Sequence, residues 1–153
     1  MNNKYILFWS SYDKRIDNDH NKWSSRKINI SPFHHLSLAS HIKLNNDTTL
    51  YSYQEFNKGQ IPKGIKVKNA NEIFPSKQAF SSLVNGHSIA HISDAVRLKV
   101  ASEILGVVLD MDAVILRKPP EDDGWFASMP SKLTGGFAPK WGKAHPPLYI
   151  NDK

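Results

Sequence analysis

The chain contains no cysteine. That excludes disulfide cross-links and any zinc site built on thiolates, and it fits a reducing compartment. Long hydrophobic runs are missing as well. No apolar stretch approaches the roughly 20 residues that a bilayer-spanning helix needs, and a mean hydropathy of -0.46 is that of a soluble globular chain. Nor does the start read as a secretory leader: the apolar run Tyr5-Ile6-Leu7-Phe8-Trp9 after Lys4 is too short and no small-residue cleavage site follows it. Internal repeats and low-complexity tracts are also lacking. A length of 153 residues is expected to give a single domain with a modest core. Acids are the minority charge, 14 Asp+Glu against 20 Lys+Arg, for a formal net charge of +6. This balance favours anionic partners: phosphorylated substrates, an anionic membrane face or nucleic acid. The basic residues are scattered over 14–27, 58–68 and 132–143 with no patch of interleaved aromatics. Specific nucleic-acid binding is therefore not expected.

What is present reads as alternating strands and helices. Residues 5–9 form a continuous apolar strand, ended by the polar Ser10-Ser11-Tyr12-Asp13, and residues 13–30 read as loop with helical turns. Ser31-Pro32 is a helix start, a capping residue followed by proline at the first helical position. Leu36, Leu38, Ile42 and Leu44 give that helix an imperfect apolar face, which Asn45-Asn46-Asp47 breaks. Residues 48–53 are rich in β-formers and make the second strand. Gly59, Pro62 and Gly64 mark a turn, residues 65–68 alternate like a short strand, and a small helical element at 70–73 stops before Pro75. Ile89, Ile92, Val96, Val100 and Ile104 recur at helical spacing. Val107, Val108 and Leu109 form a short strand, and a further apolar run, Val114-Ile115-Leu116, precedes Pro119-Pro120. After Glu121 the chain is punctuated by Gly and Pro and weakly periodic. The order predicts an α/β, Rossmann-like domain with a mainly parallel sheet.

The residues with chemistry cluster late. Ser93-Asp94-Ala95-Val96-Arg97 places an acid and an arginine three apart on one helix face, and Asp110-Met111-Asp112 follows the last strand. In open α/β sheets ligands collect at the carboxyl edge of the strands. Two carboxylates there, in a chain without thiols, suit a hard divalent cation that shares its shell with a diphosphate. Each residue also has a plainer reading: Asp94 and Arg97 as a surface ion pair, Asp110 as a turn former, Asp112 as a solvated acid, Trp9 as a core or sheet-edge aromatic. Tyr51 and Tyr53 are read as strand residues. His87 and His91 have the i,i+4 spacing of metal ligands without a third ligand, and are read as helix-surface histidines, as are His34, His35 and His41. Lys132 to Lys143, with Trp141, reads either as a solvated loop or as a lid over phosphates.

These segments together resemble the sugar-transferring glycosyltransferases that carry a DXD motif on the GT-A fold. The helix from Phe33 to Asn46 followed by Leu50-Tyr51-Ser52-Tyr53 looks like that family's helix and LYTY-like strand. Pro62-Lys63-Gly64-Ile65 and Asn69-Ala70-Asn71-Glu72-Ile73-Phe74-Pro75 look like its P-x-G-V and D-A-x-E-I-x-P stretches, and Ser93-Asp94-x-x-Arg97 with Asp110-x-Asp112 looks like its donor-binding core. The resemblance covers roughly residues 5–120. It implies that Asp112 ligates Mn²⁺ or Mg²⁺, that Asp110 touches the ribose or donor sugar and contributes to the metal site, that Asp94 hydrogen-bonds sugar hydroxyls, that Arg97 reaches the sugar or diphosphate, and that Trp9 stacks on the base. The chain departs from the pattern in two places. Leu105-Gly106-Val107-Val108 keeps one glycine of the usual Gly-Gly pair and lacks the aromatic before DXD, and few residues follow Asp112 where relatives continue with an acceptor part.

The resemblance implies a metal-dependent hexosyltransferase that moves a sugar from a nucleotide donor, UDP-linked by expectation, to a glycan or glycolipid acceptor with retention. Residues 121–153 would then be a shortened acceptor part. The implied setting is synthesis of capsular polysaccharide or lipopolysaccharide in the cytoplasm, with the positive charge favouring a peripheral place at the inner membrane face. Two alternatives stand beside it: a catalytically incomplete nucleotide-binding remnant, and a haloacid-dehalogenase-like phosphatase. In the latter, Asp110 would attack phosphorus and Asp112 would act as acid/base.

Overall fold

A computed structural model describes residues 4–103 and 106–116 of the chain. The expectations for Ile104, for the acceptor part and for the basic segment around Trp141 lie outside the described residues. Four strands and four helices alternate: β1 (Lys4–Phe8), α1 (His20–Ser25), α2 (Pro32–Lys43), β2 (Asp47–Ser52), β3 (Lys66–Asn69), α3 (Ser76–Val84), α4 (Ile89–Glu103) and β4 (Val107–Val108). A short 3-10 turn, Ala70–Glu72, links β3 to α3. The sheet is parallel throughout, in the order β3-β2-β1-β4. The chain steps outward from β1 to β2 to β3, then returns through α3 and α4 to lay β4 on the far side of β1. The reversal leaves a crevice at the carboxyl ends of β1 and β4, where open α/β sheets bind ligands.

The apolar continuity of β1 follows from burial on both faces. One face carries Leu7 and Leu50 against Leu38 of α2, with Ile30 and Met111. The other carries Ile6, Phe8 and Tyr51 against Trp23, Ala79 and Leu83, and against Ile92, Val96 and Val100 of α4. The helical spacing read for α4 is therefore its core stripe. Strand β3 is exposed along its length and bears Lys66 and Lys68, which pair with Asp47 and Glu72. Lysines on an edge strand hinder edge-to-edge pairing with another chain. Gly106 has a local reason: a Cβ there would lie 2.9 Å from the Lys4 carbonyl oxygen and 3.3 Å from Ile6 Cδ1. The close approach of β4 to β1 needs that glycine.

Two sequence expectations are corrected, and one element is added. Leu36 does not line the core face of α2; it is exposed, and the residues buried there are Ser37, Leu38 and His41. His41 is not on the helix surface. It is fully buried, its Nδ1 is 3.0 Å from Thr48 Oγ1, and its ring meets Tyr5 edge-on at 5.2 Å. Residues 76–84, for which the sequence analysis gives no element, form α3, and the Ser76 N–H at its start donates to Asn71 Oδ1 at 2.7 Å. Among the described residues no helix is long and apolar enough to cross a membrane.

Candidate functional site

The carboxyl ends of β1 and β4, with the first turns of α2 and α4, enclose a cleft of about 220 Å³. Phe8, Trp9 and Ser10 supply one wall, Asp110, Met111 and Asp112 the next, Ile89, Ala90, Ser93 and Arg97 the α4 side, and His34 the α2 side. Four of the expected site residues meet here: Trp9, Arg97, Asp110 and Asp112. Asp94 does not line the cleft. It sits behind Arg97 and accepts from its Nη2 at 2.5 Å.

The acid motif is presented by alternation. Met111 is buried in the cluster of Leu7, Leu38 and Leu50, so the residues on either side of it remain exposed at the cleft. Two hydroxyls of α2 hold the segment in place: Ser37 Oγ donates to the Ala113 carbonyl at 2.6 Å, and the Ile115 N–H donates to Ser40 Oγ at 2.9 Å. The Leu109 N–H donates to the Ile6 carbonyl at 3.0 Å and carries the pairing with β1 up to the motif. Val114-Ile115-Leu116 continues as irregular chain, not as a strand.

Arg97 joins the helix motif to the strand-end motif. Its Nη2 donates to Asp94 and its Nη1 to Asp110. The plainer reading of Asp94 and Arg97 as an ion pair is thus realised, and extended by a second carboxylate thirteen residues on. Asp112 accepts no hydrogen bond from the described residues. Two carboxylates, Asp110 and Asp112, line the cleft beside one guanidinium that Asp94 also engages from behind, so the cleft is locally acidic although the whole chain is basic. An anionic ligand would meet repulsion there unless a cation came with it.

The donor set suits such a cation. Asp112 and the second oxygen of Asp110 are hard carboxylate oxygens at an open edge, of the kind a divalent cation would accept. Among the described residues no group of three or more metal-ligating side chains gathers.

Trp9 follows β1, and its N–H donates to the Tyr51 carbonyl at 2.9 Å. Its indole Nε1 is buried without a partner among the described residues. One part of the ring is covered by His34, with centroids 4.1 Å apart and planes at 56°. The reading of His34 as a surface histidine is therefore corrected: it is half-buried and lines the cleft. Desolvation lowers its pKa below the usual imidazole value, against a smaller opposing pull from the Asp112 carboxylate. Sequence reasoning passed over His34 because nothing local distinguishes it from His35. The usable signal was its position three residues after Ser31. That is the N3 site of a capping box, which Ser31 and His34 form. His35 is also half-buried, and His87 and His91 are exposed on α4 and its approach, as expected.

Behind the cleft, the chain leaving β1 is locked by a buried ion pair. Arg26 Nε and Nη2 donate to the two oxygens of Asp17, each at 2.7 Å, and Asp17 is 1% exposed. Ser10 Oγ donates to Gln54 Oε1 at 2.7 Å. These bonds fix residues 10–17 and hence the wall that Trp9 and Ser10 form. No protein-family model, no curated protein and no solved structure matches the chain.

Proposed function

We propose that this chain is a GT-A-like donor-binding domain of a metal-dependent glycosyltransferase, moving a hexose from a nucleotide sugar to a glycan or glycolipid acceptor. The observation that carries the reading is the convergence of Arg97, Asp110 and Asp112 at the point where the order of the parallel sheet reverses. Residues thirteen or more apart in sequence meet there in one cleft, at the edge where nucleotide ligands of open α/β sheets bind.

Asp112, with Asp110 beside it, would hold Mn²⁺ or Mg²⁺. Bound there, the ion supplies Lewis-acid neutralisation of the charge that grows on a diphosphate leaving group. Arg97 presents a planar fork beside the same point, and Asp94 fixes its rotamer through Nη2. By this geometry Asp94 is a positioning residue for Arg97. Trp9 offers an aromatic surface at the strand end, the place the reading gives to the base. At about 220 Å³ the cleft is smaller than the roughly 300–1,000 Å³ of ordinary ligand sites, so it seats part of a donor.

The test is calorimetric titration of the full chain with UDP, and then GDP, in Mn²⁺ and in EDTA. Metal-dependent binding that Asp112→Asn abolishes is the expected result. Binding at wild-type strength by that variant would sink the metal assignment, and no binding of either nucleotide would sink the donor-site reading.

A further inference from the structure

We propose that His34 is a ligand-binding residue of the cleft, donating a hydrogen bond from Nε2–H to a diphosphate oxygen of the nucleotide. The inference rests on the donor-site reading above and adds a residue that the sequence motifs do not contain.

The proton's place follows from the capping box. The Ser31 backbone N–H donates to His34 Nδ1 at 3.4 Å. A backbone N–H can only donate, so Nδ1 presents its lone pair and the neutral ring carries its proton on Nε2. That nitrogen has no partner among the described residues, whereas the ring itself is held on both sides. Its own backbone N–H donates to Ser31 Oγ at 3.3 Å, and the ring packs against Trp9 with centroids 4.1 Å apart and planes at 56°. The result is a donor on the wall of a cleft whose charged groups are Arg97, bound to two carboxylates, and the acids themselves, with the Ser10 and Ser93 hydroxyls as its neutral polar groups. With Nε2 protonated, His34 serves as a donor and not as a metal ligand.

The chemistry of the acceptor follows from the neighbours. A cation held by Asp112 would draw diphosphate oxygens to the same cleft, and a charged oxygen is the stronger acceptor for an N–H donor. The positive end of the α2 dipole, at the turn that carries His34, favours the same charge.

Two substitutions isolate the donor. His34→Gln and His34→Glu both place a capping-box side chain at N3, so both keep the start of α2. Gln retains an N–H, whereas Glu offers only acceptors. The full chain is titrated with UDP in Mn²⁺, with inorganic pyrophosphate as a competitor, and folding is checked by thermal unfolding. His34→Gln is expected to bind UDP within about threefold of wild type, and His34→Glu about 10- to 100-fold more weakly, as loss of a charge-assisted bond implies. His34→Ala, which removes the donor and adds no charge, is expected to lose about tenfold and serves if the Glu variant does not fold. The pyrophosphate inhibition constant should shift by the same factor as UDP.

Unchanged UDP binding by the folded Glu or Ala variant would overturn the role of His34 and leave the donor-site reading standing. A loss for UDP with no change for pyrophosphate would overturn the diphosphate assignment. If the wild-type chain binds neither UDP nor GDP in Mn²⁺, the donor-site reading fails and the role of His34 falls with it.

Discussion

Acid should loosen this fold through His41. The ring is fully buried between α2 and the sheet, with Thr48 Oγ1 at Nδ1 and no partner at Nε2 among the described residues. Burial pushes its pKa down from 6.5 to about 4, because charging the ring would strand an imidazolium away from water. The unfolded chain therefore takes up the proton first as pH falls. The stability that His41 contributes in its neutral form is complete above pH 6.5. It declines as pH falls from 6.5 towards 4, and it is spent below that. A difference of this size corresponds to about 3 kcal/mol at one unit per 1.4 kcal/mol. Urea unfolding followed by tryptophan fluorescence, to which buried Trp23 contributes, at several pH values between 4.5 and 7.5 measures it. His41→Leu loses the Thr48 bond but removes the orphan nitrogen, and should stay within about 1 kcal/mol of wild type at pH 7.5. Near pH 4.5 the variant should be the more stable protein by about 2 kcal/mol. Asp13, whose carboxyl the Arg15 side chain holds down at about 2, titrates below this window and does not confuse it. If wild type and His41→Leu lose stability in parallel between pH 7.5 and 4.5, the buried-neutral account of His41 is wrong.

Other consequences are local. Arg97→Ala leaves Asp94 and Asp110 without their shared counter-charge, and should weaken a nucleotide sugar by about tenfold more than the bare nucleotide in Mn²⁺ titrations; equal losses would count against a sugar contact. Asp17→Ala strands the Arg26 guanidinium and should cost about 3 kcal/mol in chemical denaturation, since breaking a buried pair leaves an uncompensated charge. An effect under 1 kcal/mol would mean that the pair is structurally idle. Gly106→Ala forces a methyl against the Lys4 carbonyl and should lower stability by about 1–3 kcal/mol in the same assay, and a neutral result would show that β4 can shift away.

Much of the architecture is written in local pattern. The continuous apolar run of β1, the Ser31-Pro32 start of α2 and the Ile92, Val96 and Val100 stripe of α4 each have one physical solution, because burial on two faces, a capped first turn and a 3.6-residue period are properties of consecutive residues. The acid motif was legible too, since Val107 and Val108 demand a strand and the polar residues after Leu109 must leave it. Helix α3 went unassigned although Ala79, Phe80, Leu83 and Val84 recur at helical spacing, because four apolar residues within nine, set among Lys77, Gln78, Ser81 and Ser82, make a short pattern. The buried face of α2 was not legible, because a serine and a histidine fill positions that apolar counting assigns to leucines.

The sequence by itself determined the α/β alternation and which residues carry charge, an acid-arginine helix turn and an acid pair after a strand. Tertiary structure decided which of them meet. The order β3-β2-β1-β4 places the ends of β1 and β4 side by side, and this puts Trp9 and His34 opposite Arg97 and Asp112 across about 220 Å³. It also sets Asp94 behind Arg97 instead of on the cleft wall. Three histidines show the same division. Beyond the capping-box position of His34, nothing in their neighbouring residues separates His34, His41 and His91, yet one lines the cleft, one is sealed in the core and one faces solvent. Burial is fixed by what the other side of the sheet brings to each ring, and that information lies far along the chain from the residue itself.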